Sequence, residues 1–366
     1  MHRATETQLD EASAWALEPD KGETLRACLE RTLRDAIREG SLRAGVALPA
    51  SRRLATQLGV SRGVASDAYA ELEAQGYLQI TSRRPPVVAD VPSTRRHANG
   101  ASEAPPPPPR FDLTPTTPDV ALFPRRQWAA ALAAAVRTAP AAALDYGDPR
   151  GSLVLRERLA DELGRTRGVI CEPDQVIVVQ GTTQGIDLVL RGLRDTGATR
   201  IAVEDPSLDR QHRQIRALGL ELVGQPLDRD GLIVEALDAD AVIVSPAHQF
   251  PTGAVLSGAR RRELLAWSRD TGALIIEDDY DAEFRYDREP VRALQGLDPE
   301  RVIYAGTTSK TLAPALRIGW LAVPESQVEP LSAMKVLLDD LSPTLEQLAL
   351  AQLLERGHYQ RHIRRT

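Results

Sequence analysis

From about residue 112 to its end, the sequence alternates short runs that are apolar on both faces with segments of helical periodicity. The runs are VIVVQ (176–180), RIAVE (200–204), AVIVS (241–245), ALIIE (273–277), RVIYAG (301–306) and GWLAV (319–323). Side chains of a strand point alternately to its two sides, so a run that is apolar throughout must be covered on both. Helices between successive strands supply that cover and return the chain for parallel pairing. The pattern predicts an α/β main domain, a mostly parallel sheet with helices on both faces.

That domain is not the whole chain. A length of 366 residues suggests two or more domains at about 150 residues each. The segment PSTRRHANGASEAPPPPPR (92–110) is polar and ends in five prolines. Such a composition buries no core and favours extended polyproline II. It reads as a linker over 91–117, between an N-terminal domain at 15–90 and the main domain at 118–366.

The formal net charge is −6, which argues against a chain devoted to nucleic acid. From Lys21 to Asp90, however, eleven Lys/Arg stand against eight Asp/Glu, or +3, which leaves −9 on the remainder. A mildly basic front on an acidic body suits a small DNA-binding module joined to something else. Cys28 and Cys171 lie far apart without metal-ligand spacing, so neither a disulfide framework nor a metal site is expected. No apolar run approaches the roughly 20 residues that cross a bilayer. The N-terminus, with Asp10, Glu11 and Glu18, is no signal peptide, and a cytoplasmic protein is the expectation.

In the front module, Leu25, Leu29, Leu33, Ala36 and Ile37 recur at helical spacing over 24–40. SRRLATQL (51–58) reads as a short helix running into Gly59. A third helix begins at Ser61 and continues to about Gln75, where Gly76 ends it. YLQI and VVAD, on either side of TSRRPP, read as a hairpin. Three helices and a two-stranded wing make a winged helix-turn-helix. Ser51 and Ser61 stand at helix starts, where the backbone favours a DNA phosphate. Arg62, one residue on, is placed for a base edge in the major groove, and Arg52 for phosphate or base. Arg83 and Arg84 in the wing turn are candidates for the backbone or minor groove. The alternative for each arginine is a solvated surface charge.

In the main domain, five polar clusters follow five of the apolar runs: Gly181-Thr182-Thr183-Gln184, Asp205-Pro206, Pro246-Ala247-His248, Asp278-Asp279-Tyr280 and Thr307-Thr308-Ser309-Lys310. Ligands of open α/β sheets bind outside the carboxyl ends of the strands, so these clusters describe one site. Gly181, Thr182 and Thr183 at a helix start offer a phosphate cradle, and Arg317 adds a bidentate contact. The chain has only three lysines, Lys21, Lys310 and Lys335. Lys310, among small hydroxyl residues, is suited to imine formation with an aldehyde while Ser309 holds phosphate. Asp278 suits a protonated pyridine nitrogen, and Tyr280 a phenolic oxygen. Phosphate, aldehyde, pyridine nitrogen and phenolate oxygen together specify pyridoxal 5′-phosphate.

The front module resembles the GntR-type winged helix in the phrase LPASRRLATQLGVSR and again from Ala68-Tyr69 to Leu78, with Ala50 where relatives carry serine. The main domain resembles fold-type I aminotransferases. The two together resemble the MocR subgroup of GntR regulators, whose signatures stand as YGDPRGSLVLRERLA (146–160), EDPSLDR (204–210), SPAHQFPTG (245–253), IIEDDYDAEFRY (275–286) and TTSKTLAPALRIGW (307–320). That resemblance implies Lys310 as the Schiff-base lysine, Asp278 and Tyr280 as ring partners, and Arg317, Ser309 and the 181–183 loop as phosphate ligands. It further implies that Tyr146 reaches the phosphate of a partner subunit, hence a homodimer, that His248 lies near the ring, and that Arg210 meets an effector carboxylate. The chain departs from the subgroup at Leu208, where relatives carry a stacking aromatic. It also stops at Arg365-Thr366 in what reads as mid-helix, where relatives continue for roughly a hundred residues.

The leading expectation is therefore a transcription regulator that binds pyridoxal phosphate, reads double-stranded operator DNA, and senses an amine, an amino acid or pyridoxal phosphate itself. Little or no full transamination is expected of it. Two alternatives stand beside it: a working aminotransferase with an appended winged helix, and a DNA-binding protein whose second domain only dimerises.

Overall fold

The computed structural model describes residues 17–82, 84–91, 111, 118–281, 283–284 and 291–366. The chain falls into two compact units, residues 1–110 and 111–366. Most of the proline-rich segment and the wing-tip residue Arg83 lie outside the described residues.

The first unit is built from α1 (Leu25–Arg38), α2 (Ser51–Leu58), α3 (Arg62–Ala74) and a hairpin of β1 (Leu78–Gln79) with β2 (Val87–Val88). Thr24 caps α1 through the Ala27 amide, and Ser61 caps α3 through the Val64 amide at 3.3 Å. Each such cap stabilises its helix by about 1 kcal/mol. Between them, Gly59 takes the left-handed conformation (φ 66°) that ends α2 and turns the chain into α3. Leu29, Leu33, Leu54, Leu72 and Leu78 are buried together, and Tyr69 Oη donates to the Pro49 carbonyl at 2.8 Å, tying α3 to the turn before α2. An isolated bridge from Ala47 to Val87 extends the hairpin.

The second unit carries an eight-stranded sheet in the order β3-β10-β9-β8-β7-β4-β5-β6. Its strands are β3 (Val176–Val179), β4 (Arg200–Asp205), β5 (Glu221–Asp228), β6 (Gly231–Leu232), β7 (Ala241–Val244), β8 (Leu274–Asp279), β9 (Val302–Thr307) and β10 (Gly319–Ala322). From β5 through β4, β7 and β8 to β9 the pairing is parallel. β10 is antiparallel to both β9 and β3, and β6 is antiparallel to β5. All six apolar runs form strands. β5 and β6 were not among them, because ELVGQPLD is broken by Gly224 and Pro226 and half exposed, so it carries no continuous apolar signal.

Alternation along the strands divides the core in two. On β9, Val302 and Tyr304 face one side and Ile303 and Ala305 the other. The first side packs on α4 (Arg125–Thr138), α5 (Leu153–Arg167), α8 (Gly258–Thr271), α10 (Thr344–Glu355) and α11 (His358–Ile363), through Trp128, Leu155, Leu159, Leu264, Leu350 and Tyr359. The second packs on α6 (Thr182–Asp195), α7 (Asp209–Ala217) and α9 (Glu325–Asp339), through Ile186, Leu190, Ile215 and Leu331. Each such side chain contributes about 1.5–3 kcal/mol when fully buried. α11 spans His358–Ile363, and the Arg364 and Thr366 amides continue its pattern by donating to the Gln360 and His362 carbonyls. Among the described residues no helix is long and apolar enough to cross a membrane.

Candidate functional site

Because β3 and β9 both run antiparallel to β10, they share the direction of β4, β7 and β8. Their trailing ends therefore fall on one edge of the sheet. Gly319, which opens β10, pairs there with both Val179 and Thr307. The five polar clusters and Arg317 all flank that edge.

Gly181 stands at the N-cap of α6 with φ 85°, a conformation favourable to glycine. Arg317 is itself left-handed (φ 54°), and this turn brings its guanidinium back to the loop. A Cβ on Gly181 would lie 3.1 Å from Arg317 Nη2 and 3.2 Å from Nη1. Arg317 Nη2 donates to the Gln180 carbonyl, and Gln214 Nε2 on α7 donates to the Thr183 carbonyl at 2.8 Å. Thr182 is buried. The Ser309 hydroxyl lies 2.9 Å from that of Thr307, whose oxygen also accepts the Ser309 amide. The result is a cation beside the first-turn amides of a fourteen-residue helix, a combination that favours an anion.

Deeper in, Asp278 is 2% exposed. Burial raises its carboxyl to about 6, against the pull of the Arg210 guanidinium and with the help of Asp279 and Asp281. Its Oδ2 accepts from Gln211 Nε2 at 2.8 Å, while Oδ1 is buried with no hydrogen-bond partner among the described residues. Lys310 is half-buried, and burial followed by the nearby Arg210 charge lowers its ammonium pKa, which favours the neutral, nucleophilic amine. Tyr280 Oη donates to the His248 carbonyl at 2.9 Å, and the two rings stack with centroids 6.2 Å apart. His248 Nδ1 lies 2.8 Å from Asp281 Oδ2. A cavity of about 440 Å³ is lined by Lys310, Tyr280, Asp281, His248, Phe250 and Phe284 among others.

The resemblance to fold-type I aminotransferases implies pyridoxal phosphate, and the residues present fit it. A buried carboxylate oxygen without a donor costs about 1–3 kcal/mol. A protonated pyridine nitrogen is the donor that would satisfy Asp278 Oδ1, and the Gly181–Arg317 turn suits the phosphate. Leu208, at the N-cap of α7, presents no aromatic face.

The three consecutive acids of β8 are split by alternation. Asp278 faces α7, whereas Glu277 and Asp279 face the opposite helices. Glu277 accepts the Leu294 and Gln295 amides at 2.9 Å each, and burial raises it to about 7. Asp279 Oδ2 meets Arg167 Nη2 at 2.6 Å and Tyr304 Oη at 2.9 Å, all three buried. Sequence reasoning missed Gln211 and Arg167, since each meets its partner across more than sixty residues. The only hint is polarity at positions that helical periodicity turns inward.

Tyr146 is not gathered into the cavity and is 85% exposed. Arg210 lies at the exposed start of α7. In the first unit, Ser51 and Arg52 open α2, Ser61 caps α3 and Arg62 begins it; Arg52, Arg62 and Arg84 are exposed and form no ion pair among the described residues. Among the described residues no group of three or more His, Cys, Asp or Glu could hold a metal.

The family Aminotransferase class I and II matches residues 121–363, and the gntR family of bacterial regulatory proteins matches residues 25–88. The HTH-type pyridoxine biosynthesis transcriptional regulator PdxR of Corynebacterium glutamicum is 35% identical over 363 residues, which is 96% of this chain and 77% of that one. The chain is a GntR-family regulator of the MocR type. The probable rhizopine catabolism regulatory protein MocR of Rhizobium meliloti is 33% identical, over 95% of this regulator and 75% of its own length. Among solved structures, a Pyrococcus horikoshii kynurenine aminotransferase in complex with PMP and KYN superposes with a TM-score of 0.62 at 25% identity, over 68% of this regulator and 64% of that chain. The MocR-type regulator thus joins a DNA-binding GntR region to a domain of a pyridoxal-phosphate-dependent family, and spans about two thirds of that solved aminotransferase.

Proposed function

We propose that this regulator holds pyridoxal phosphate at the trailing edge of its sheet and uses the site to sense a small molecule: an amine, an amino acid or pyridoxal phosphate itself. Lys310 is the amine that engages the aldehyde, Asp278 pairs the ring nitrogen, and Tyr280 and His248 flank the ring. The 181–183 loop, Ser309 and Arg317 hold the phosphate. Bound pyridoxal phosphate supplies an aldehyde reactive toward amines and an electron-withdrawing ring. Arg210 takes an effector carboxylate, and the exposed Tyr146 serves the site of a second copy in a homodimer. Ser51, Arg52, Ser61, Arg62, Arg83 and Arg84 meet double-stranded operator DNA. The winged helix occupies 15–90, the linker 91–117 and the sensing domain 118–366, in the cytoplasm. Effector binding shifts the population between two dimer states that differ in DNA affinity.

The observation that supports this reading most directly is the unpartnered Asp278 Oδ1, buried at the same edge as Lys310. Gel shifts on the upstream intergenic DNA, with and without pyridoxal phosphate, test it. The cofactor is expected to change DNA affinity in the parent and to leave Lys310→Ala unmoved. Equal responses in the two would overturn the sensing role.

The second reading, an aminotransferase that turns over amino and keto acids, has the solved neighbours in its favour. The regulator relatives match far more of this chain, and turnover assays separate the two readings.

A further inference from the structure

Beside the half-buried Lys310, Lys335 is fully buried. It sits on α9 at 1% exposure, and neither the proposed cofactor chemistry nor DNA reading uses it. A buried ammonium is costly unless it is paired and hydrogen-bonded. Here Nζ meets Asp339 Oδ1 at 2.7 Å and Ser342 Oγ at 3.2 Å. The other oxygen of the same carboxylate, Asp339 Oδ2, accepts from Gln184 Nε2 at 2.7 Å and Gln180 Nε2 at 3.2 Å. Gln184 Oε1 then accepts the backbone amide of Gln180 at 2.6 Å. The relay ends on the N–H of Gln180, the residue before Gly181, and Arg317 holds the carbonyl of that same residue.

We infer that Lys335 is a positioning residue for the 180–184 loop, acting through Asp339. This rests on the reading, proposed above, that the loop takes the cofactor's phosphate. An amide side chain can present either end, and which end faces the loop is set by its partner. A charged, fixed Asp339 takes both NH2 ends and leaves the Gln184 oxygen for the Gln180 N–H. The pair is neutral as a whole, so it adds little field at the anion. Its contribution is geometric: it keeps the Gly181–Thr183 amides aimed where preorganised donors are needed.

A geometric role predicts a loss confined to the phosphate. The test compares binding of pyridoxal phosphate with binding of pyridoxal, which lacks that group, by absorbance titration of the full chain. The variants are Lys335→Met with Asp339→Asn, which removes both charges together, and Gln184→Leu, which breaks the relay without stranding a buried charge. Expected is a roughly tenfold fall in the preference for the phosphorylated form in both, with pyridoxal binding unchanged. An unchanged preference in either folded variant overturns the inference and leaves the proposed function standing. A parent protein with no preference for the phosphorylated form removes both.

Discussion

Gln211 Nε2 on α7 donates to Asp278 Oδ2 on β8 over 2.8 Å, with both side chains buried. That one bond occupies one carboxylate oxygen, while the other is buried without a hydrogen-bond partner among the described residues. A neutral donor favours the ionised carboxylate, against the burial that raises it. Hydrogen bonds to charged groups contribute about 1.5–3 kcal/mol, and one pH unit is about 1.4 kcal/mol. Gln211→Leu should therefore move the acid limb of pyridoxal phosphate binding upward by about one to two pH units. Titrations at a series of pH values check this, and an unmoved limb would show that the bond does not tune the site.

The same carboxyl gives a pH dependence with a definite sign. In the free protein burial raises Asp278 to about 6, so it is ionised above that pH and protonated below. A protonated ring nitrogen prefers the anion, so binding pulls this pKa down. By linkage, affinity is full above pH 6 and falls as pH drops from there. Asp278→Asn should weaken binding at pH 7.5 and abolish the inflection near pH 6. An inflection that persists in the variant assigns it to another group.

Much of this was legible in the sequence, for identifiable reasons. Strands buried on both faces must be apolar at every position, so VIVVQ and RVIYAG announced themselves. Lys310 and Asp278 each follow or end such a run, where α/β sheets bind ligands. Ser61 and Gly59 mark helix boundaries by backbone chemistry alone, and the structure uses both as read. β5 escaped because a half-exposed strand broken by glycine and proline has no period to detect. Gln211 and Arg167 escaped because their roles are pairings across the fold, and Lys335 because its neighbour on the helix, Asp339, meets Gln180 and Gln184 only once the fold has formed. A polar residue on a buried helix face signals that some partner exists without saying which.

Arg167 illustrates what such a pairing is worth. With Asp279 and Tyr304 it forms a buried ionic cluster on the face away from Asp278. Removing one partner leaves a buried charge unpaired, which costs about 3–5 kcal/mol, whereas replacing both is often far milder. Urea denaturation should show Arg167→Met destabilised by that amount, with a substantial part restored when Asp279→Asn is added. A loss below about 1 kcal/mol would mean the cluster contributes little.

On the DNA side, Arg62 and Arg52 should separate by kind of contact. A base-edge contact costs about 1–3 kcal/mol when lost and relaxes sequence preference, while a phosphate contact weakens all sequences alike and lowers the salt slope by about 1. Arg62→Ala is expected to show the first pattern and Arg52→Ala the second, in gel shifts on operator and scrambled DNA at several salt concentrations. A uniform loss for Arg62→Ala would reassign it to the backbone.

Of the three lysines, Lys310 alone is expected to engage the vitamin B6 aldehyde, and peptide mapping after borohydride reduction reads this out. The purified chain is incubated with pyridoxal phosphate, reduced, digested and weighed by mass spectrometry. A stoichiometric pyridoxyl adduct is expected on the peptide that holds Lys310, and none in Lys310→Ala. An adduct on Lys21 or Lys335 in its place, or no adduct at all, would contradict it.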